Sequence, residues 1–165
     1  MSSQLRVDKI LPVEGVTATG GGGIVQITMG RTNNRAENTS TSFVATNLEA
    51  TVTPKFTTSK IYVQVSGDCN TNQSSGSETI FLTIYRSIDG GTFSNLGNAS
   101  YGFTQLRNDS ARTHAPVCIN FLDNPNTTSA VVYKVYMRSS GGTSVEFPAD
   151  SNQNYSYMHL LEVSA

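Results

Sequence analysis

The hydrophobic positions of this chain follow the period of two that extended strands require. In "KIYVQVSGD", Ile61, Val63 and Val65 occupy alternate positions, so they share one face of a strand while the residues between them share the other. Apolar residues nowhere recur at helical spacing over a useful length. The pattern therefore predicts a protein built of β-strands, and it places one face of this strand in a core and the other partly in water.

Ten strands are predicted, separated by turn-forming sequences such as "DGG", "DNPN" and "SGG". Many short strands without intervening helices are typical of a β-sandwich or jelly roll, and 165 residues suit one domain. We therefore predict an all-β, jelly-roll β-sandwich head over residues 24–165. The predicted strands span residues 24–30, 41–46, 49–53, 60–68, 78–87, 99–105, 112–122, 130–139, 143–147 and 155–163.

Two predicted strands are apolar on both faces. In the strand 78–87, Phe81 and Tyr85 face one way and three aliphatic residues face the other. The strand 155–163 also carries large apolar side chains on both faces. The outer face of such a strand needs cover, either from a partner subunit or from a loop of the same chain. We expect a homo-oligomer, and the predicted interface residues are Tyr157, His159, Leu160 and Leu161.

Residues 1–23 form a predicted N-terminal arm outside the sandwich. The sequence "SSQLRVDKILPVEGV" mixes apolar and charged residues and then breaks at Pro12 and Gly15. Laid extended on another chain, such a segment supplies apolar anchors and backbone groups for strand addition. The four glycines that follow it have the backbone freedom of a hinge. The predicted anchoring residues are Leu5, Val7, Ile10 and Leu11, and the predicted hinge is Gly20, Gly21, Gly22 and Gly23.

The charge of the chain disfavours nucleic acid and membranes as partners. Charged residues make up 14% of the composition, the net charge is −1, and the 11 Lys and Arg residues are dispersed. No apolar run approaches the roughly 20 residues of a membrane span. The sequence "MSSQ" at the start lacks the basic and hydrophobic parts of a signal peptide. We expect synthesis in a cytoplasm, no membrane insertion and no nucleic-acid binding.

No motif in the chain predicts catalysis, a cofactor or a metal. The glycine run lacks the Gly-Lys-Ser/Thr sequence and the following helix of a phosphate-binding loop. His114 and His159 are far apart in sequence and have no metal-ligand spacing. Cys69 and Cys118 are too distant for a C-x-x-C motif, and we expect free thiols, although their spacing leaves a disulfide open.

Three segments carry a resemblance to a known family. They are the arm "SSQLRVDKILPVEGV" with its glycines, the stretch "FLDNPNTTSAVVYKVYMRSSGGT", and the ending "HLLEVSA". Together they resemble small virion structural and tail-fibre-like proteins of marine bacteriophages, including cyanophages. The strand count is also similar to the trimeric jelly roll of C1q and TNF-type heads.

The resemblance implies a non-enzymatic virion component. It would be a homotrimeric decoration or fibre-like protein, bound to other capsid or tail proteins through its arm. The alternative is a receptor-binding tip of a tail fibre that recognises a host glycan through Tyr101, Asn108 and Asp109. A polysaccharide-degrading enzyme would need a pair of carboxylates that the sequence does not place together.

Overall fold

The computed structural model describes residues 23–72, 76–109, 112–149 and 154–164. Among these residues there are eleven strands and no helix, hence none long and apolar enough to cross a membrane. The strands are β1 (Ile24–Thr32), β2 (Glu37–Asn38), β3 (Val44–Val52), β4 (Lys60–Thr71), β5 (Glu78–Ile88), β6 (Ser94–Asn95), β7 (Thr104–Asn108), β8 (Thr113–Asp123), β9 (Val131–Ser139), β10 (Val145–Glu146) and β11 (Ser156–Val163).

The strands form two antiparallel sheets. In sheet 1 the four long strands run in the order β1-β11-β4-β8, and the short strands β10 and β2 continue beside the far end of β4. In sheet 2 the order is β3-β9-β5-β7. The short strand β6 also pairs with β5, at residues that follow the segment paired with β7. The eight longer strands alternate between the two sheets along the chain, except that β5 and β7 follow one another in sheet 2, and this is the jelly-roll arrangement. The predicted fold class, an all-β jelly-roll sandwich, is therefore confirmed.

The core lies between the two sheets. Ile61, Val63 and Val65 of β4 are fully buried, as their alternation predicts. They belong to one continuous cluster with the inward residues of β5 and β9, among which Tyr133 is the largest. The hydroxyl of Tyr133 donates a hydrogen bond to Asp123 at 2.6 Å, so this buried phenol has a partner.

Some predicted strands differ from the observed ones. The predicted strands 41–46 and 49–53 are one strand, β3, whose pairing with β9 shifts register between Ala45 and Glu49. Buried residues continue at alternate positions through this irregularity, from Thr46 to Val52, so the two predicted segments form one strand. The short strands β2 and β6 were not predicted, because two polar residues carry no period of their own.

The predicted strand 99–105 is largely a hairpin. Asn98 and Gly102 bond to each other through their backbones, and β7 begins only at Thr104. Gly102 has a φ of +66°, and a Cβ there would overlap the Leu82 carbonyl oxygen. Only glycine fits this position without strain. The alternation of apolar residues gives no information on backbone φ, so the turn at Gly102 was not predicted.

The predicted arm lies almost wholly outside the described residues. Leu5, Val7, Ile10 and Leu11 belong to that part of the chain, as do Gly20, Gly21 and Gly22. Gly23 is the first residue described, and its carbonyl accepts a hydrogen bond from the Ser164 backbone N–H at 3.1 Å. The anchoring and hinge roles therefore remain predictions.

Candidate functional site

The outer face of sheet 1 is built from alternate side chains of its four long strands. The strand register aligns Ile27, Leu161, Tyr62 and Leu122 in a single row across β1, β11, β4 and β8. The two ends of the row are well exposed, Ile27 at 59% and Leu122 at 54%. The next two rows are Met29, His159, Gln64 and Asn120, and then Arg31, Tyr157, Ser66 and Cys118.

This outer face is poor in charge. Arg31 is the one permanently charged residue in the three rows, and Lys60 and Asp68 lie beyond them at opposite ends of β4. The solvent face of an antiparallel sheet is normally polar, whereas the centres of protein interfaces lose charge and gain Met and aromatic residues. We refer to these three rows as the assembly face, since their chemistry suits contact with another protein.

Three of the four predicted interface residues lie on the assembly face. Tyr157, His159 and Leu161 are half-buried there, and the rings of Tyr157 and His159 are nearly parallel, with centroids 6.1 Å apart. The prediction that Leu160 lies at an interface is wrong, because this side chain is fully buried in the core of its own chain. Consecutive residues of a strand point to opposite sides of the sheet, so Leu160 and Leu161 cannot both face a partner.

The outer face of β5 is covered by the same chain. Phe81 is only 6% exposed, because the Tyr101 ring lies 5.9 Å away and the Arg138 guanidinium lies 4.0 Å from the Phe81 centroid. Tyr85 stacks on Tyr136 of β9 with a centroid separation of 3.9 Å. The sequence left two explanations for the apolar outer face of β5, a partner subunit or a segment of the same chain, and the structure shows the second. The case for a partner subunit therefore depends on sheet 1.

The two histidines do not share a site. His114 of β8 pairs with Asn70 of β4, and His159 of β11 pairs with Gln64 of the same strand. Six residues along a strand correspond to about 20 Å. Among the residues that the structure describes, no three His, Cys, Asp or Glu side chains are grouped so that they could hold a metal ion.

The two cysteines are free thiols, as predicted. Cys69 faces the core and Cys118 lies on the opposite, outer face of sheet 1. Burial, with a smaller contribution from the Asp68 carboxylate, raises the pKa of the Cys69 thiol to about 12. The thiol of Cys69 therefore stays protonated and packs as a small apolar group.

A buried carboxylate holds the loop that joins β9 to β10. Glu78 is 1% exposed, and its Oε1 accepts hydrogen bonds from the Ser140 hydroxyl at 2.7 Å and from the Thr79 backbone N–H at 2.8 Å. Oε1 also accepts from the Gly141 N–H, and Oε2 accepts from the Thr143 N–H at 3.0 Å. Burial raises the pKa of this carboxyl, but these hydrogen bonds outweigh burial and lower it to about 2. The role of Glu78 is therefore structural.

The residues predicted to contact a receptor do not converge. Tyr101 is 62% exposed at the tip of the 98–102 hairpin. Asn108 is 4% exposed, and its Oδ1 accepts a hydrogen bond from the Glu78 backbone N–H at 2.8 Å. Asp109 is exposed and paired with Arg107, beyond the end of β7. The side chain of Asn108 supports the fold, so it is not available to a ligand.

Two open, shallow surface cavities border the faces described above. One, of about 360 Å³, is lined by Tyr101, Gly102, Phe103, Thr104 and Gln105. Phe103 and Gln105 were missed by sequence reasoning, because strand alternation does not extend across the hairpin turn at Gly102. The other cavity, of about 430 Å³, lies at one end of the assembly face and is lined by Ser66, Gly67, Asp68, Asn154, Tyr155 and Tyr157.

Comparisons with known proteins add little beyond the fold. No family model matches the chain, and no curated protein matches its sequence. Among solved structures, one similar structure is that of Eiger TNF from S. frugiperda, with 9% sequence identity and a TM-score of 0.35. The alignment covers 84% of this chain and 91% of that one. The class of the protein, a jelly-roll β-sandwich, accordingly rests on its own strand order.

Proposed function

We propose that this protein is a non-enzymatic structural component of a bacteriophage virion, assembled as a homotrimer through the outer face of sheet 1. The observation that carries the proposal is the assembly face, where one apolar row across four strands adjoins two rows of mixed, mostly uncharged side chains. The virion setting is supported by the resemblance of the N-terminal, 121–143 and C-terminal segments to phage structural proteins. The protein would decorate a particle or form part of a fibre, and its arm would bind other capsid or tail proteins.

The assembly face has apolar side chains at both of its edges, as a ring of identical subunits requires. Its three rows cover four strands about 4.8 Å apart over about six residues of each strand, or roughly 400 Å² in projection, and corrugated side chains expose more area than the projection. A standard interface buries about 800 Å² on each partner. A ring of three identical subunits needs two different patches on each chain. The exposed Ile24 and Ile27 on one edge strand and Leu122 on the other provide apolar groups at both sides of the sheet.

We expect the full chain to be a homotrimer in solution. Removal of the assembly face from water supplies the driving force, since apolar burial is favourable in proportion to its area. Light scattering coupled to gel filtration should give three times the 17.7 kDa mass of the chain. A single species of 17.7 kDa at micromolar concentration would contradict the assembly proposal.

Deletion of residues 1–19 should leave the sandwich folded and abolish binding to the particle. The described residues contain the eight strands of a jelly roll, of which the first, β1, begins at Ile24, and we therefore expect the fold not to depend on the arm. Thermal unfolding of the truncated and full chains should coincide. A pull-down with particles that lack the native protein should recover the full chain alone.

Replacement of Gly20, Gly21, Gly22 and Gly23 by alanine is the matched test of the hinge. Alanine removes the easy access to positive φ and restricts the link by about 0.5–1 kcal/mol per residue. The unfolding temperature should stay the same while particle binding weakens. Two results would contradict the arm proposal. Full particle binding by the chain that lacks residues 1–19 would place the anchor elsewhere. A much lower unfolding temperature of that chain would show that the arm is part of the fold.

Images of labelled particles would distinguish the two structural roles. A decoration protein is expected in many copies over the capsid, whereas a fibre component is expected in a few copies at the tail. Signal at neither place would contradict the virion role.

A further inference from the structure

Tyr101, Phe103 and Gln105 form a row that remains exposed although Tyr101 also covers Phe81 and Phe103 packs on Phe121. These side chains are solvent-exposed at alternate positions, and with Gly102 and Thr104 they line the cavity of about 360 Å³. Tyr101 is the most exposed large apolar residue among those that the structure describes, at 62%. Neighbouring exposed aromatic side chains beside a cavity are a feature of ligand-binding surfaces, whereas a single exposed ring would need no explanation.

The hairpin that carries Tyr101 is held rigidly. The Asn98 side-chain oxygen accepts hydrogen bonds from the Ser100 and Tyr101 backbone N–H groups at 2.8 and 2.9 Å. The Arg138 Nε donates to the Ser100 carbonyl at 2.9 Å, which fastens the tip of the hairpin to β9. A surface that is ordered before binding loses less conformational entropy when a ligand arrives.

Each exposed ring is backed by a second ring. Tyr101 lies 5.9 Å from Phe81, and Phe103 stacks on Phe121 with a centroid separation of 4.8 Å and an interplanar angle of 28°. These contacts fix the two rings while Tyr101 remains mostly in water. The cavity therefore offers two positioned aromatic rings together with the exposed side chain of Gln105.

We propose that the cavity at Tyr101, Phe103 and Gln105 binds a neutral hexose unit of a glycan. The C–H face of a pyranose ring packs on an aromatic ring, and an amide can both donate to and accept from neighbouring hydroxyls. The five residues that line the cavity are uncharged, and the guanidinium of the neighbouring Arg138 is already bound to the Ser100 carbonyl and packed on the Phe81 ring, which favours a neutral sugar over an acidic or phosphorylated one. Its volume is at the lower end of the range for small-ligand sites, which suits one or two sugar rings better than a protein surface.

The glycan site is independent of the assembly face. The cavity is lined by the 98–102 hairpin and β7 of sheet 2, and the assembly face belongs to sheet 1. None of the residues that line the cavity belongs to the assembly face, although Phe103 stacks on Phe121 of β8, the neighbour of Leu122 in the first row. Binding can be tested whether the chain is a trimer or a monomer, so failure of one proposal is distinguishable from failure of the other.

The test is native affinity electrophoresis of the full chain in gels that contain dextran, mannan or galactan. At least one of these neutral hexose polymers should retard the protein. Tyr101→Ala should weaken the retardation about tenfold, because it removes the stacking ring. Tyr101→Phe keeps the ring and should retain binding, and Gln105→Ala should reduce it.

Tyr155→Ala is the matched control, since Tyr155 is an exposed tyrosine on the other sheet. It should be retarded like the native chain, and circular dichroism should show that every variant is folded. Absence of retardation by all three polymers, or equal loss in Tyr155→Ala, overturns the proposal. A change of oligomeric mass in Tyr101→Ala also overturns it, because the row would then be a contact between copies.

Discussion

Leu160→Asp is expected to unfold the protein, whereas Leu161→Asp is expected to leave it folded and to separate its subunits. Leu160 is fully buried between the two sheets. Aspartate there would remove most of an aliphatic side chain from the core and place a carboxylate where it has no partner. The combined penalty is about 5 kcal/mol or more, comparable to the whole stability of many domains.

Leu161 lies on the opposite side of the same strand. It is half-buried on the assembly face, between Ile27 of β1 and Tyr62 of β4. A carboxylate at this position stays hydrated in the single chain, so its effect on folding should be small. In an assembled trimer it would be desolvated against apolar groups, which is strongly unfavourable.

The measurements are a thermal melt and a light-scattering mass for each variant. Leu160→Asp should be insoluble or should lack a cooperative transition, and Leu161→Asp should melt cooperatively as a 17.7 kDa monomer. Thr51→Asp is a matched control, because Thr51 is exposed on β3 at the outer face of sheet 2. Native assembly of Leu161→Asp would exclude the assembly face as the interface.

Glu78→Gln should lower the free energy of unfolding at neutral pH by about 3 kcal/mol. That figure follows from the pKa of Glu78, which is about 2 in the folded protein against an ordinary value of 4.5, at about 1.4 kcal/mol per unit. Glutamine keeps one acceptor oxygen, but its NH₂ group would face backbone N–H groups that now donate hydrogen bonds to the carboxylate. The loop around Ser140 should therefore lose its attachment to β5.

The pH dependence of stability has a definite sign. Because folding lowers the pKa of Glu78, the stabilisation is fully present above about pH 5 and is lost as the pH falls toward 2. Urea unfolding of the native chain at a series of pH values should show this loss, and Glu78→Gln should show a shallower slope over the same window. Asp109→Asn is the control, since Asp109 is exposed and its replacement should change stability little. An unchanged slope in Glu78→Gln would contradict the assigned role.

Side-chain alternation determined the strands and the fold class of this protein. The faces of β4 follow from the sequence, because a period of two is a local property that a strand keeps wherever it lies. The turn sequences "DNPN" and "SGG" marked the ends of β8 and β9 for the same reason, since their backbone preferences are local. The absence of helical spacing then left a sandwich as the architecture.

Tertiary structure decided which of two apolar faces is inside. Alternation separates Leu160 from Leu161, but only the position of sheet 2 determines that Leu160 is in the core. The cover over Phe81 comes from Tyr101 and Arg138, which are distant in sequence and meet it only after folding. Glu78 likewise reads as an ordinary acidic residue at a strand end until the 139–143 loop folds around it. The sequence of a strand shows which residues alternate between its two faces. The residues that bury each face come from distant parts of the chain, and no local sequence pattern identifies them.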